Sequence, residues 1–170
     1  MRAVMTHSRR WSDRVLSLLV VVAMGALLVD VLWGVVSRDL LAGQSRWTDE
    51  LAIALLIWVS MLGAALVYGE GGHLGVDYFV GKLDPSAERF VQCFVHILVM
   101  LFAALVMVYG GYILTKGAFD TGQMLPALGW RKGYTYLAVP ISGIFLLFYS
   151  LEGVIGALSR APDSDRSPER

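Results

Sequence analysis

The chain has 170 residues with 14 basic and 14 acidic side chains, so its formal net charge is zero and a basic nucleic-acid footprint is excluded. Hydrophobic residues make up 56% and charged residues only 16%, at a mean hydropathy of +0.63. A water-soluble domain carries roughly 25% charge, so the apolar excess must face lipid.

The first apolar run, Val15–Val36, follows Arg9 and Arg10 and contains one charge, Asp30. A secretory or twin-arginine signal would have an apolar core of about 7–15 residues and a small-residue cleavage site. This run is longer, and Ser37-Arg38-Asp39 follows it, so a retained helix is expected. Asp30 precedes the end of the run by about 9 Å of helix. An acid at membrane depth is a functional candidate by default, as a proton or cation relay. The same depth suits a residue that faces polar groups of the bundle or rim water.

The connection Ser37–Asp49 is long for a hairpin. Its Leu40, Leu41 and Trp47 fit either one face of a short interfacial helix or an irregular loop. Thr48 is the expected N-cap of the second helix, which places Asp49 and Glu50 in its first turn, where carboxylates favour the helix dipole. Trp47 then sits at headgroup depth. Arg38 and Glu50 flank the hairpin and are expected to pair across it. The uncharged run Leu51–Tyr68 follows, with a small-residue patch of Ser60, Gly63, Ala64 and Ala65, and it exits through a glycine-rich rim carrying His73 and Asp77.

The third run, Phe90–Leu114, contains Cys93 and one ionisable group at depth, His96. A single cysteine excludes an intrachain disulfide. With no second histidine at membrane depth, His96 reads as a hydrogen-bonded helix-interface residue rather than a haem ligand. Gly110 and Gly111 close this run. The connection Gly117–Trp130 has glycines and Pro126 that argue against one regular helix. The fourth run, Tyr134–Leu158, is uncharged until Glu152. Pro140 is expected to kink it, and Ser142, Gly143, Gly153 and Gly156 give it small faces for close helix approach. The polar tail Arg160–Arg170 is expected to be disordered.

Each run matches the roughly 20 residues that cross a bilayer core as helix, and none alternates as barrel strands do. The fold class is therefore all-α integral membrane: four transmembrane helices in one domain over residues 1–158, then a tail over 159–170. Nine of the 14 Lys and Arg residues fall in the two tails and the second connection. That bias places both termini in the cytoplasm.

No Walker motif, paired catalytic carboxylates, nucleophile with a base, or cysteine cluster is present, so neither an enzyme nor a cofactor is expected. The inverted repeats and broken helices of a complete secondary transporter are also missing.

Arg38, then Trp47-Thr48-Asp49-Glu50-Leu51, Trp58, Leu62-Gly63-Ala64-Ala65 and His73-Leu74-Gly75-Val76-Asp77 form a pattern. It resembles the small membrane subunit of tripartite ATP-independent periplasmic (TRAP) transporters, the DctQ-like family. Leu125-Pro126-Ala127-Leu128 and Tyr136-Leu137-Ala138-Val139-Pro140 are similar to that family's approach to its last helix. The resemblance implies a non-enzymatic inner-membrane subunit of a bacterium or archaeon. It would brace the scaffold of a large multi-helix subunit that holds the substrate and sodium sites. A periplasmic protein would capture the solute, typically an organic acid. Arg38, Trp47, Glu50, Gly63, His73, Asp77, Tyr136 and Pro140 are the candidate rim anchors and partner contacts. Asp30 departs from the family pattern, where a neutral or amide residue is expected. The competing reading is a small stand-alone proton-coupled exporter with Asp30 as its relay. An assembly subunit of a respiratory complex is a third.

Overall fold

The computed structural model describes residues 2–40, 46–70 and 85–159. Helix α1 spans Arg2–Leu40 and α2 spans Arg46–Gly69. Helix α3 covers Pro85–Phe102 and passes directly into a π-helical stretch, Ala103–Gly110, and then into α4, Gly111–Asp120. A short α5, Gly133–Tyr136, leads into α6, Ala138–Ser159. Among the described residues, four stretches are long and apolar enough to cross a membrane: Trp11–Asp39, Arg46–Gly69, Phe90–Asp120 and Gly133–Gly156. Lipid offers no hydrogen bonds, so each stretch satisfies its backbone as helix even where valine and isoleucine are frequent.

The spans run up and down. The start of α1, the end of α2, the start of α3 and the end of α6 meet at one end of the bundle, where Arg9 approaches both Gly69 and Glu152. At the other end, the α1–α2 hairpin lies beside the α4–α5 connection, which Glu50 touches. The buried apolar centre is small: Leu16, Leu62, Ala65 and Tyr149, with Val20, Trp58, Leu66 and Phe145 packed around them. Large apolar side chains such as Leu18, Val21, Leu28, Ile53 and Leu105 face outward. Lipid tails are as apolar as these side chains, so exposure to them carries no hydrophobic penalty.

Without that driving force, helices hold together by close approach. A β-carbon on Gly111 would stand 3.0 Å from Pro140 Cδ, and one on Gly143 only 2.7 Å from Met107 Cβ. The π-helical stretch thus lies against α6 at a residue with no side chain to separate them. The expected small-residue faces divide: Ala65, Gly111, Ser142 and Gly143 are buried, whereas Ser60 and Ala64 face outward and Gly63 and Gly156 have open space beside them.

Two local expectations change. Helix α1 continues to Leu40 and α2 starts at Arg46, so Leu40 and Trp47 belong to these two helices rather than to a separate interfacial helix, and Leu41 lies outside the described residues. Thr48 is inside the first turn of α2 rather than at its cap, buried with its hydroxyl 3.3 Å from where a β-carbon on Gly34 would sit. The helix is interrupted at Leu137, between α5 and α6, within the turn before Pro140, where its missing N–H and its ring disturb a helix; Leu137 itself keeps helical torsions (φ −57°, ψ −24°), and Gly133–Gly156 remains one span. His73, Asp77 and the tail beyond Ser159 lie outside the described residues.

Candidate functional site

Polar side chains of the described residues gather at the two ends of the bundle. At the first end, Arg9 Nη2 donates to the carbonyl oxygen of Gly69 at 2.5 Å. This fills one of the acceptors that a helix C-terminus leaves open. Arg9 Nε also lies 3.8 Å from Glu152 Oε2 and 4.0 Å from Asp13 Oδ2. Those distances are charge contacts rather than hydrogen bonds. The hydroxyl of Tyr149 donates to Asp13 Oδ1 at 2.7 Å. One arginine and one tyrosine thereby join α1, α2 and α6.

Nearby, Tyr68 and His96 hydrogen-bond at 2.8 Å through the hydroxyl and Nδ1, with the rings edge to face. His96 is therefore the helix-interface residue expected of it. It lies over Gly153, where a β-carbon would fall 2.5 Å from the imidazole. A β-carbon on Gly69 would likewise meet the Tyr149 ring at 2.8 Å. Two glycines thus admit the two aromatic groups that tie this end together.

At the second end, the expected Arg38–Glu50 pair does not form. Arg38 Nε bonds the adjacent Asp39 Oδ1 at 3.1 Å, with both side chains well exposed. Glu50 Oε2 instead accepts from the backbone N–H groups of Ala127 and Leu128, at 3.0 and 3.1 Å. Those amides belong to a tight turn that begins at Pro126. Leu125 N–H bonds Trp130 O at 2.8 Å, Lys132 N–H bonds Gln123 O at 2.9 Å, and Met124 and Arg131 form an antiparallel bridge. Gly122 and Gly129 take positive φ values of 63° and 69°, which close the turn and which only glycine adopts without strain. Glu50 is thus the carboxylate that receives two parallel amides, a charge-assisted arrangement stronger than a neutral one.

The remaining feature at this end is a cleft of about 170 Å³ between α1 and α2. Asp30, Val31, Gly34, Val35 and Arg38 line one wall, and Thr48, Asp49 and Ala52 the other. Asp30 is only 5% exposed, and neither carboxylate oxygen has a hydrogen-bond partner among the described residues. Trp47 is 39% exposed at the rim of the same hairpin. Lys132 Nζ stands 5.8 Å over the Tyr136 ring, and Pro140 is occupied by Gly111. No group of three or more His, Cys, Asp or Glu able to hold a metal ion occurs among the described residues.

The sequence reading singled out Glu50 but not its partners, and it missed Arg9, Asp13, Tyr68 and Tyr149. Only the four-residue spacing of Arg9 and Asp13 hinted at a local pair.

The family model for the DctQ component of tripartite ATP-independent periplasmic transporters matches residues 27–160. The sialic acid TRAP transporter small permease protein SiaQ of Vibrio cholerae is 25% identical over 150 residues, 88% of this chain and 85% of that protein. The C4-dicarboxylate TRAP transporter small permease protein DctQ of Rhodobacter capsulatus is 28% identical over 116 residues, 65% of this chain and 48% of that protein. The sialic acid TRAP transporter permease protein SiaT of Haemophilus influenzae is 24% identical over 115 residues, 67% of this chain but only 18% of that protein. Four spans and these relatives make the molecule a multi-pass protein of the inner membrane. The chain belongs to the DctQ family of TRAP transporters, the family of their small permease components.

Proposed function

We propose that this chain is the non-catalytic small subunit of a sodium-coupled, binding-protein-dependent TRAP importer of an organic acid, and that it braces the scaffold of the large membrane subunit. The match to SiaT carries the reading. There, a segment resembling this chain is about one-fifth of a longer permease protein. A separate chain of the same kind is then expected to sit against a separate large permease. Relatives whose names specify sialic acid and C4-dicarboxylate support an organic acid as the solute. The named relatives are transport components rather than enzymes. The sodium site, the solute site and the periplasmic capture protein are assigned to the partners, so no cofactor is required of this chain. Both termini face the cytoplasm under the positive-inside bias.

The geometry fits a brace better than a stand-alone exporter. The buried serines are spent on their own helices: Ser37 on Gly34 O, Ser142 on Val139 O and Ser150 on Leu147 O. Asp30 opens sideways into the α1–α2 cleft, while the centre of the bundle is Leu16, Leu62 and Ala65. A proton relay through the bundle would need polar groups where these apolar ones stand.

Uptake measurements separate the two readings. Deleting the chain from cells that hold the complete transporter should abolish sodium-driven uptake of a labelled organic acid, and a plasmid copy should restore it. Liposomes holding this chain alone should show no transport. Transport by the chain alone, lost in Asp30→Asn, would establish the exporter instead.

A further inference from the structure

The α1–α2 cleft has a use that the brace reading alone does not supply. Asp30 lines one wall with neither oxygen bonded among the described residues, and Asp49 lines the opposite wall. Among the described lining residues the one cation, Arg38, is two helical turns nearer the rim and bonded to Asp39. A carboxylate at membrane depth without a donor is costly, and charges there occur in pairs. No described residue of this chain supplies that donor.

We propose that a basic side chain of the large membrane subunit, a lysine ammonium or an arginine guanidinium, enters this cleft and bonds Asp30. This inference rests on the proposed partnership with a large permease. Depth selects the donor. Asp30 lies about 9 Å inside the end of the apolar run at Val36. A lipid headgroup amine resides in the polar layer and would have to sink that far. A side chain rooted on a neighbouring helix at the same depth reaches Asp30 directly. Val31 and Val35 line the cleft with apolar surface for the stem of a long basic side chain.

The test places a photo-crosslinking amino acid at Val31 of a tagged chain within the complete transporter, irradiates whole cells and identifies the adducts by mass. The expected product is an adduct with the large subunit. Its yield should fall about tenfold in Asp30→Asn and recover in Asp30→Glu. The isolated Asp30→Asn subunit should melt no lower than the wild type, because an unpaired buried charge has been removed; this separates a lost contact from a misfolded chain. Adducts with lipid alone, adducts with a second copy alone, or an unchanged yield in Asp30→Asn would each overturn the proposal. If the large subunit co-purifies with the wild-type chain but ignores Asp30→Asn, only this inference fails. If it does not co-purify at all, the brace reading fails with it.

Discussion

The two ends of the bundle contrast in how their polar groups are satisfied. At the Arg9 end, Arg9 bonds Gly69, Tyr149 bonds Asp13 and Tyr68 bonds His96, and Glu152 Oε2, though buried without a hydrogen bond, has the Arg9 guanidinium 3.8 Å away as a counter-charge. At the hairpin end, Glu50 is satisfied by the Ala127–Leu128 turn, but Asp30 in the α1–α2 cleft is buried with no bond to any described residue and no counter-charge such as Glu152 has. The first end closes the subunit on itself. The second keeps an acceptor in reserve, as a subunit made to be completed by another chain would.

The largest expected effect is at the closed end. Gly153→Val would drive a side chain into His96, where a β-carbon alone already falls 2.5 Å from the ring. Overpacking of this kind costs about 3 kcal/mol, and thermal unfolding in detergent should register it. An unchanged melting temperature would mean that the Tyr68–His96 contact does not close this end.

Next comes the satisfied part of the hairpin end. Glu50→Ala removes two charge-assisted bonds from a half-buried carboxylate, for a loss of about 2 kcal/mol. Amide exchange should speed up at Ala127 and Leu128 and stay unchanged at the Arg9 end. Tyr149→Phe should cost about 1 kcal/mol through the lost Asp13 bond, read as a shift in unfolding temperature. Smallest of all is Arg38→Ala. Its bond to Asp39 is exposed and screened, so the isolated subunit should stay within about 0.5 kcal/mol of the wild type in the same assay.

These contrasts show what the sequence could disclose. The four spans were legible because lipid demands about 20 apolar residues in a row, a constraint that is local in the chain. The family was legible because Trp47-Thr48-Asp49-Glu50-Leu51 and Leu62-Gly63-Ala64-Ala65 lie close together in sequence. Glu50's contact was hidden for the opposite reason. Its partners are 77 and 78 residues away, and the helix dipole already gave its carboxylate a sufficient local role. Arg9 read as a topology signal, and nothing in the tail indicated that it would hold the last carbonyl of α2. Pro140 was legible for a local reason: a proline removes the bond to the carbonyl four residues back, and the span is interrupted at Leu137, within that turn.

The central claim is that this chain works only against a large permease. The most direct measurement is the intact mass of the complex recovered when a tagged chain is extracted from its native membrane in mild detergent. The account predicts one copy of this chain with one large multi-helix membrane subunit. Recovery of the chain alone, or only as a homo-oligomer, would contradict it.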